Sequence, residues 1–156
     1  MSTPTHPARN LFVTLPVEDL DRSVAFFTQL GFTFNPAFTD ETATCMLVGE
    51  QAFVMLGTRE KVAELSKLPI GDPAAQALAL FCFSVDSREE VDRVSETALA
   101  AGAREADGPE DFGFMYARSF FDLDGHGWQV MWMDPAAAEA GPEAAAASAQ
   151  EAGAPA

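Results

Sequence analysis

The sequence predicts an α+β fold built from two tandem β-α-β-β-β modules. Three observations predict it. Apolar strand-like runs and one amphipathic helix follow each other in the same order in each half of the 156-residue chain. Each half carries an acidic helix entry directly after an apolar strand, VEDLDRS in the first and VDSREEV in the second. Each of those helices ends on a glycine, Gly31 or Gly102, the residue that most readily takes the left-handed backbone at a helix C-terminus. A supersecondary unit that recurs in this way is a fold-level signal.

The elements follow in chain order. Residues 1–9 are polar, contain two prolines and form a loose arm. The first module spans 10–57. Leu11 to Val17 reads as a strand, with Pro16 near its end. Glu18, Asp19 and Asp21 stand where carboxylates cap a helix and complement its dipole. The helix runs from Leu20 to Leu30, with Val24, Phe27 and Leu30 at helical spacing. Strands are expected over 32–38, 42–48 and 52–56, the last two joined by a hairpin turn at Gly49-Glu50-Gln51. Residues 58–76 form a connector with a short helix over 60–68, ended by Pro69. The second module spans 77–135. Leu78 to Val85 is a strand, and Ser87 with Glu90 makes a capping box. Val91, Val94 and Ala98 then share one buried helix face. A short strand over 103–106 precedes strands over 114–123 and 127–133, joined by a tight turn at Asp124-Gly125-His126-Gly127. Residues 136–156 contain only Ala, Glu, Gly, Pro, Ser and Gln. They cannot bury enough apolar surface to offset their ordering entropy, so a disordered tail is expected.

Charge narrows the function. Twenty-four acidic residues against nine basic ones give a net charge of −15. Nucleic acid is not an expected partner, because phosphate binding needs clustered Lys and Arg. Anionic membrane surfaces would repel the chain, and no apolar run approaches the roughly 20 residues of a membrane span. The acidic surface is read as a device for solubility. Cys45 and Cys82 lie in apolar, strand-like runs, which suggests two buried thiols in a reducing cytoplasm.

The segments LPVEDLDRSVAFFTQLGF and FFDLDGHGWQVMWMDP resemble the vicinal oxygen chelate superfamily, the glyoxalase / bleomycin-resistance / extradiol-dioxygenase proteins. The resemblance covers about residues 10 to 135. It implies that the two modules wrap into a half-open mixed β-sheet cup, and that members commonly form homodimers, a contact for which Trp128 and Trp132 are candidates. In metal-dependent members, His and Glu from the first and last strand of each module hold a divalent ion. Carried onto this chain, those positions are Phe12, Val54, Leu80 and Gln129. Phe, Val and Leu cannot ligate, and a neutral amide brings no charge to a hard cation. A catalytic ion needs about three protein ligands, so neither a metal nor another cofactor is expected.

Strand alternation extends the candidate ligand-binding set. Thr14 accompanies Phe12, Cys82 and Ser84 accompany Leu80, and Met131 accompanies Gln129. Pairing the last two strands across the Asp-Gly turn adds Tyr116, Arg118 and Phe120 on the face of Gln129. Arg118 is the candidate of most interest, because a guanidinium in a pocket selects a carboxylate, a phosphate or a polarised carbonyl. Its competing reading is a salt bridge on an exposed strand face, since a one-residue slip turns the side chain outward. His126 is read as a turn residue, and His6 as an inert member of the N-terminal arm.

The favoured reading is a metal-free protein that binds an aromatic or amphipathic small molecule in an apolar pocket with a few polar handles. The alternative is a divalent-metal-dependent lyase or dioxygenase with displaced ligands. A third reading, a metal-independent isomerase using Tyr116 or Arg118, has no base singled out for it.

Overall fold

The computed structural model describes residues 8–141, 143 and 147. The chain divides into two compact units, the first ending at Gly71 and the second beginning at Asp72. The boundary falls inside the expected connector. His6 and most of the Ala-rich tail lie outside the described residues, as does all of the N-terminal arm but residues 8 and 9.

In the first unit, β1 (Leu11–Val17) leads to α1 (Leu20–Gln29), β2 (Thr33–Asn35), β3 (Ala43–Gly49), β4 (Ala52–Thr58) and α2 (Arg59–Leu65). The sheet order is β1-β4-β3-β2, with β1 and β4 parallel and the other pairs antiparallel. Asp19 caps α1, its Oδ1 accepting the Arg22 N–H at 3.1 Å. One face of the sheet supplies Leu15, Val17, Met46, Val54 and Leu56, all buried together with Phe26, Phe27 and Leu30 from the α1 region. The strand expected over 32–38 is cut short at Asn35. Its side chain accepts the Ala37 N–H and starts a 3-10 turn at Pro36, which has no N–H for a sheet.

The second unit holds β5 (Leu80–Ser84), α3 (Arg88–Ala100), β6 (Arg104–Asp111), β7 (Met115–Phe121), β8 (Gly127–Met133) and α4 (Pro135–Ala140). Its sheet order, β5-β8-β7-β6, repeats that of the first, again with the first-listed pair parallel. Ser87 caps α3 by accepting the Glu90 N–H at 3.1 Å, while the Glu90 carboxylate reaches back to the Asp86 amide at 3.3 Å. Val91, Val94 and Ala98 are buried as the helical spacing predicts. The strand expected over 103–106 extends to Asp111 through two register shifts, so its acidic residues occupy an outer strand.

Three expectations are corrected. The tail was expected to lose order from residue 136, but Pro135–Ala140 is helical, capped by Asp134, with Ala137 buried. Cys82 is exposed rather than buried, while Cys45 is buried. Trp128 is 3% exposed and its indole is engaged inside the unit, so it offers no surface for a second copy.

Candidate functional site

Each sheet has one face packed into its unit's core and one open face, where Phe12, Leu80 and Cys82 are exposed while Cys45 and Ala117 are covered. The register fixes which residue lies where. In the first unit, Phe12 pairs with Phe53, Thr14 with Met55 and Pro16 with Gly57, and β3 continues these rows with Leu47 and Cys45. Phe12 is 56% exposed and stacks on Phe53, with ring centroids 4.8 Å apart and planes 15° from parallel. Toward Gly57 the face closes: a Cβ there would come 3.1 Å from Val62 Cγ2 of α2.

Val54, expected on this open face, lies on the other one. It pairs with Val13 and Met46 and is buried in the core. The matching position is Met55, because Met55 pairs with Thr14 as Gln129 pairs with Cys82. A one-residue uncertainty in aligning the halves was enough to reverse the side chain.

In the second unit, rows cross the sheet as Leu80–Gly127–Phe121, Cys82–Gln129–Ser119 and Ser84–Met131–Ala117. Leu80, Cys82, Gln129 and Met131 therefore share one face, which β5, β8 and β7 line without a charged residue. The apolar strands around Cys82 desolvate its thiolate and push the thiol above its ordinary range, so it is a weak nucleophile at neutral pH.

Tyr116, Arg118 and Phe120 are on the opposite face. They pair with Trp132, Val130 and Trp128 and pack toward α3. The Tyr116 hydroxyl donates to Asp92 at 2.7 Å. The Arg118 guanidinium lies 2.7 Å from Glu96, 3.3 Å from Asp92 and 3.5 Å from Glu105. Its side chain is 10% exposed, and its Nε lacks a hydrogen-bond partner. It ties β7 to α3 and β6 and does not face a ligand. Phe120 is core, 1% exposed.

The cause of the reversal is the turn between β7 and β8. A two-residue turn at Asp124-Gly125 would set Phe120 opposite Gln129. Instead the Asp122 N–H donates to the His126 carbonyl at 2.9 Å, and the loop is longer. Asp122 Oδ1 accepts the amides of Asp124 and His126, both at 3.0 Å, and Oδ2 accepts the Trp128 indole N–H at 2.9 Å. Burial pushes the Asp122 carboxyl above the ordinary carboxylate range, opposed by the His126 imidazole, the indole and the two amides. His126 is buried in this turn. Gly125, at φ +98°, completes it: a Cβ would stand 2.7 Å from Ala74 Cα, in the backbone of the connector.

The residues that sequence reasoning missed on the open faces are Phe53, Met55, Ser119 and Phe121. The signal for the last two was Asp122, whose carboxylate is well placed in sequence to collect amides of the following turn.

Residues 9–49 match the family model described as bleomycin resistance protein-like N-terminal. A hypothetical protein from S. aureus has a similar structure at 24% identity and a TM-score of 0.69, over 81% of this chain and 95% of that one. A glyoxalase/bleomycin resistance protein/dioxygenase family enzyme from Burkholderia phytofirmans PsJN is similar at 20% identity and a TM-score of 0.64, over 78% and 96%. FosX, a fosfomycin resistance protein from Listeria monocytogenes, is similar at 17% identity and a TM-score of 0.59, over 81% and 94%. No curated protein matches the sequence. The chain has the fold of the vicinal oxygen chelate superfamily. On this fold, the positions that the sequence comparison offered as ligands become Phe12, Met55, Leu80 and Gln129. A phenyl ring, a thioether, an isobutyl group and one neutral amide do not fit a divalent cation that takes His and Glu. Among the described residues, no group of three or more His, Cys, Asp or Glu side chains is arranged to hold a metal ion. No helix among them is long and apolar enough to cross a membrane.

Proposed function

We propose that the chain is a metal-free small-molecule binding protein whose ligand, an aromatic or amphipathic compound, lies on an open sheet face of this superfamily fold. The observation that carries the reading is the composition of that face in the second unit. Leu80, Phe121 and Met131 supply apolar area, while Cys82, Ser119 and Gln129 supply neutral polar groups. The stacked Phe12 and Phe53 give the first unit a similar surface. Contiguous exposed apolar surface marks ligand or partner sites. Covering about 200 Å² of it is worth roughly 5 kcal/mol before the ligand's lost freedom is subtracted. The resistance proteins among the similar structures favour a small-molecule ligand over a macromolecular one.

The isomerase reading loses its two candidates, because Tyr116 and Arg118 are bound to α3 carboxylates on the far side of the sheet. The metal-dependent lyase or dioxygenase reading rests on relatives' names alone. A homodimer in a reducing cytoplasm belongs to the proposal: Leu11, Leu68 and Leu78 are exposed outside the ligand face and suit contact with a second copy, and both cysteines are free.

Thermal melting of the full chain against a panel of aromatic amphipaths, with a chelator present throughout, tests the function. Saturable stabilisation is the expected result. Stoichiometric nickel, zinc, iron or manganese in protein purified without chelator would overturn the reading in favour of the metal-dependent one.

A further inference from the structure

The row Leu80–Gly127–Phe121 does not end at β7. Arg104 of the outer strand pairs with Phe121 and completes it. Its guanidinium carbon lies 4.7 Å from the centre of the Phe121 ring. Gly127 lets its neighbours close over the middle of the row: a Cβ there would meet Leu80 Cδ2 at 2.9 Å and Phe121 Cε1 at 3.8 Å, so both apolar side chains lie over it.

The contact partner of Arg104 is what distinguishes it. The chain has 24 carboxylate residues and nine basic ones, so a cation has an abundance of partners. Arg88, Arg93 and Arg118 in the same unit each hold a carboxylate. Arg104 forms no salt bridge among the described residues and contacts an aromatic ring instead. A guanidinium over a ring keeps its in-plane N–H donors for another acceptor, and its fork matches the two oxygens of an oxyanion. Asp107 and Glu110 lie further along the same outer strand, in register with Ser119 and Ala117. They would disfavour an anion there, which confines the oxyanion to the Arg104 end.

We infer that Arg104 sets the ligand class of this face: an amphipathic small molecule whose apolar body covers Leu80 and Phe121 and whose oxyanion, a carboxylate or phosphonate, meets the guanidinium. This rests on the proposed ligand-binding function and makes it specific.

Three probes with one ring system test it by calorimetry on the full chain, in chelator: naphthalene-2-carboxylate, 2-naphthylmethanol and 2-naphthylmethylammonium. The carboxylate should bind about tenfold more tightly than the alcohol, the margin of one charge-assisted contact. Arg104→Gln should remove that margin, bringing the carboxylate to within about twofold of the alcohol, and Arg104→Lys should keep part of it. Equal affinity for the carboxylate and the alcohol, a preference for the ammonium probe, or a margin that survives in Arg104→Gln would overturn the inference while leaving the apolar binding face intact. Failure of all three probes to bind would overturn the binding function along with it.

Discussion

Ser119 stands opposite Gln129 across the last hairpin, and that pairing places Arg118 opposite Val130 on the helix side of the sheet. The most conspicuous cation of the strand therefore becomes a structural tie, and β5, β8 and β7 give the ligand face only neutral and apolar groups.

Replacing Arg118 should cost stability and spare binding. Arg118→Leu strands the carboxylates of Asp92, Glu96 and Glu105 near one another. Those carboxylates are half-exposed and can recover water, so the expected loss is about 1–2 kcal/mol, below that of a fully buried pair. Chemical denaturation checks it. Ligand affinity should stay within twofold of the parent; a large loss of affinity at unchanged stability would return Arg118 to the site.

Gly125→Ala should be among the most damaging single substitutions. It combines a positive φ with a Cβ 2.7 Å from the Ala74 backbone. Left-handed strain and overpacking together are worth about 2–4 kcal/mol. The denaturation midpoint reads the effect, and Gly71→Ala, where a Cβ meets nothing within 4 Å, serves as the mild control.

Asp122→Ala leaves the Trp128 indole N–H and two amides without their acceptor. Buried donors left unpaired cost about 1–3 kcal/mol each at most, and the loop can relax, so a total near 3 kcal/mol is expected. The near-ultraviolet signal of Trp128 should change with it.

The fold's order of elements was legible because each half repeats one hydrophobic rhythm and caps its helix with an acid or serine, Asp19 and Ser87. Phe12, Leu80 and Gln129 reached the open faces through the family resemblance, and Thr14, Cys82 and Met131 followed from them by strand alternation. Tyr116, Arg118 and Phe120 were misplaced together, since strand parity is inherited from the turn, and that turn is set by where the Asp122 side chain finds its donors. Val54 was misplaced for a related reason: two diverged halves give no fixed anchor for a one-residue alignment. Arg104 lay inside the strand expected over 103–106, but that short polar segment has no hydrophobic alternation to mark which face its side chain takes.

A pH dependence follows from the Arg88–Asp111 pair, bidentate at 2.9 and 3.0 Å. The Arg88 hydrogen bonds, aided by the Gly113 amide, hold the Asp111 carboxyl below its ordinary value. A depressed folded pKa means that the contact stabilises the hairpin above the unfolded value of about 3.9 and is lost as the pH falls through the folded one. The Gly113 amide donates to Asp111 at 2.9 Å, so its chemical shift reports the titration. In Arg88→Gln the midpoint should move upward.

The chain's methionines report directly on where a ligand sits. Met55, Met131 and Met133 lie on the open faces, and Met46 is buried on the core side. With ¹³C-methyl methionine labelling and excess chelator, titration of an aromatic amphipath should shift Met131 or Met55 saturably and leave Met46 in place. Shifts that arise only after a divalent metal is added, or that centre on Met46, would contradict a metal-free ligand site on the open sheet face.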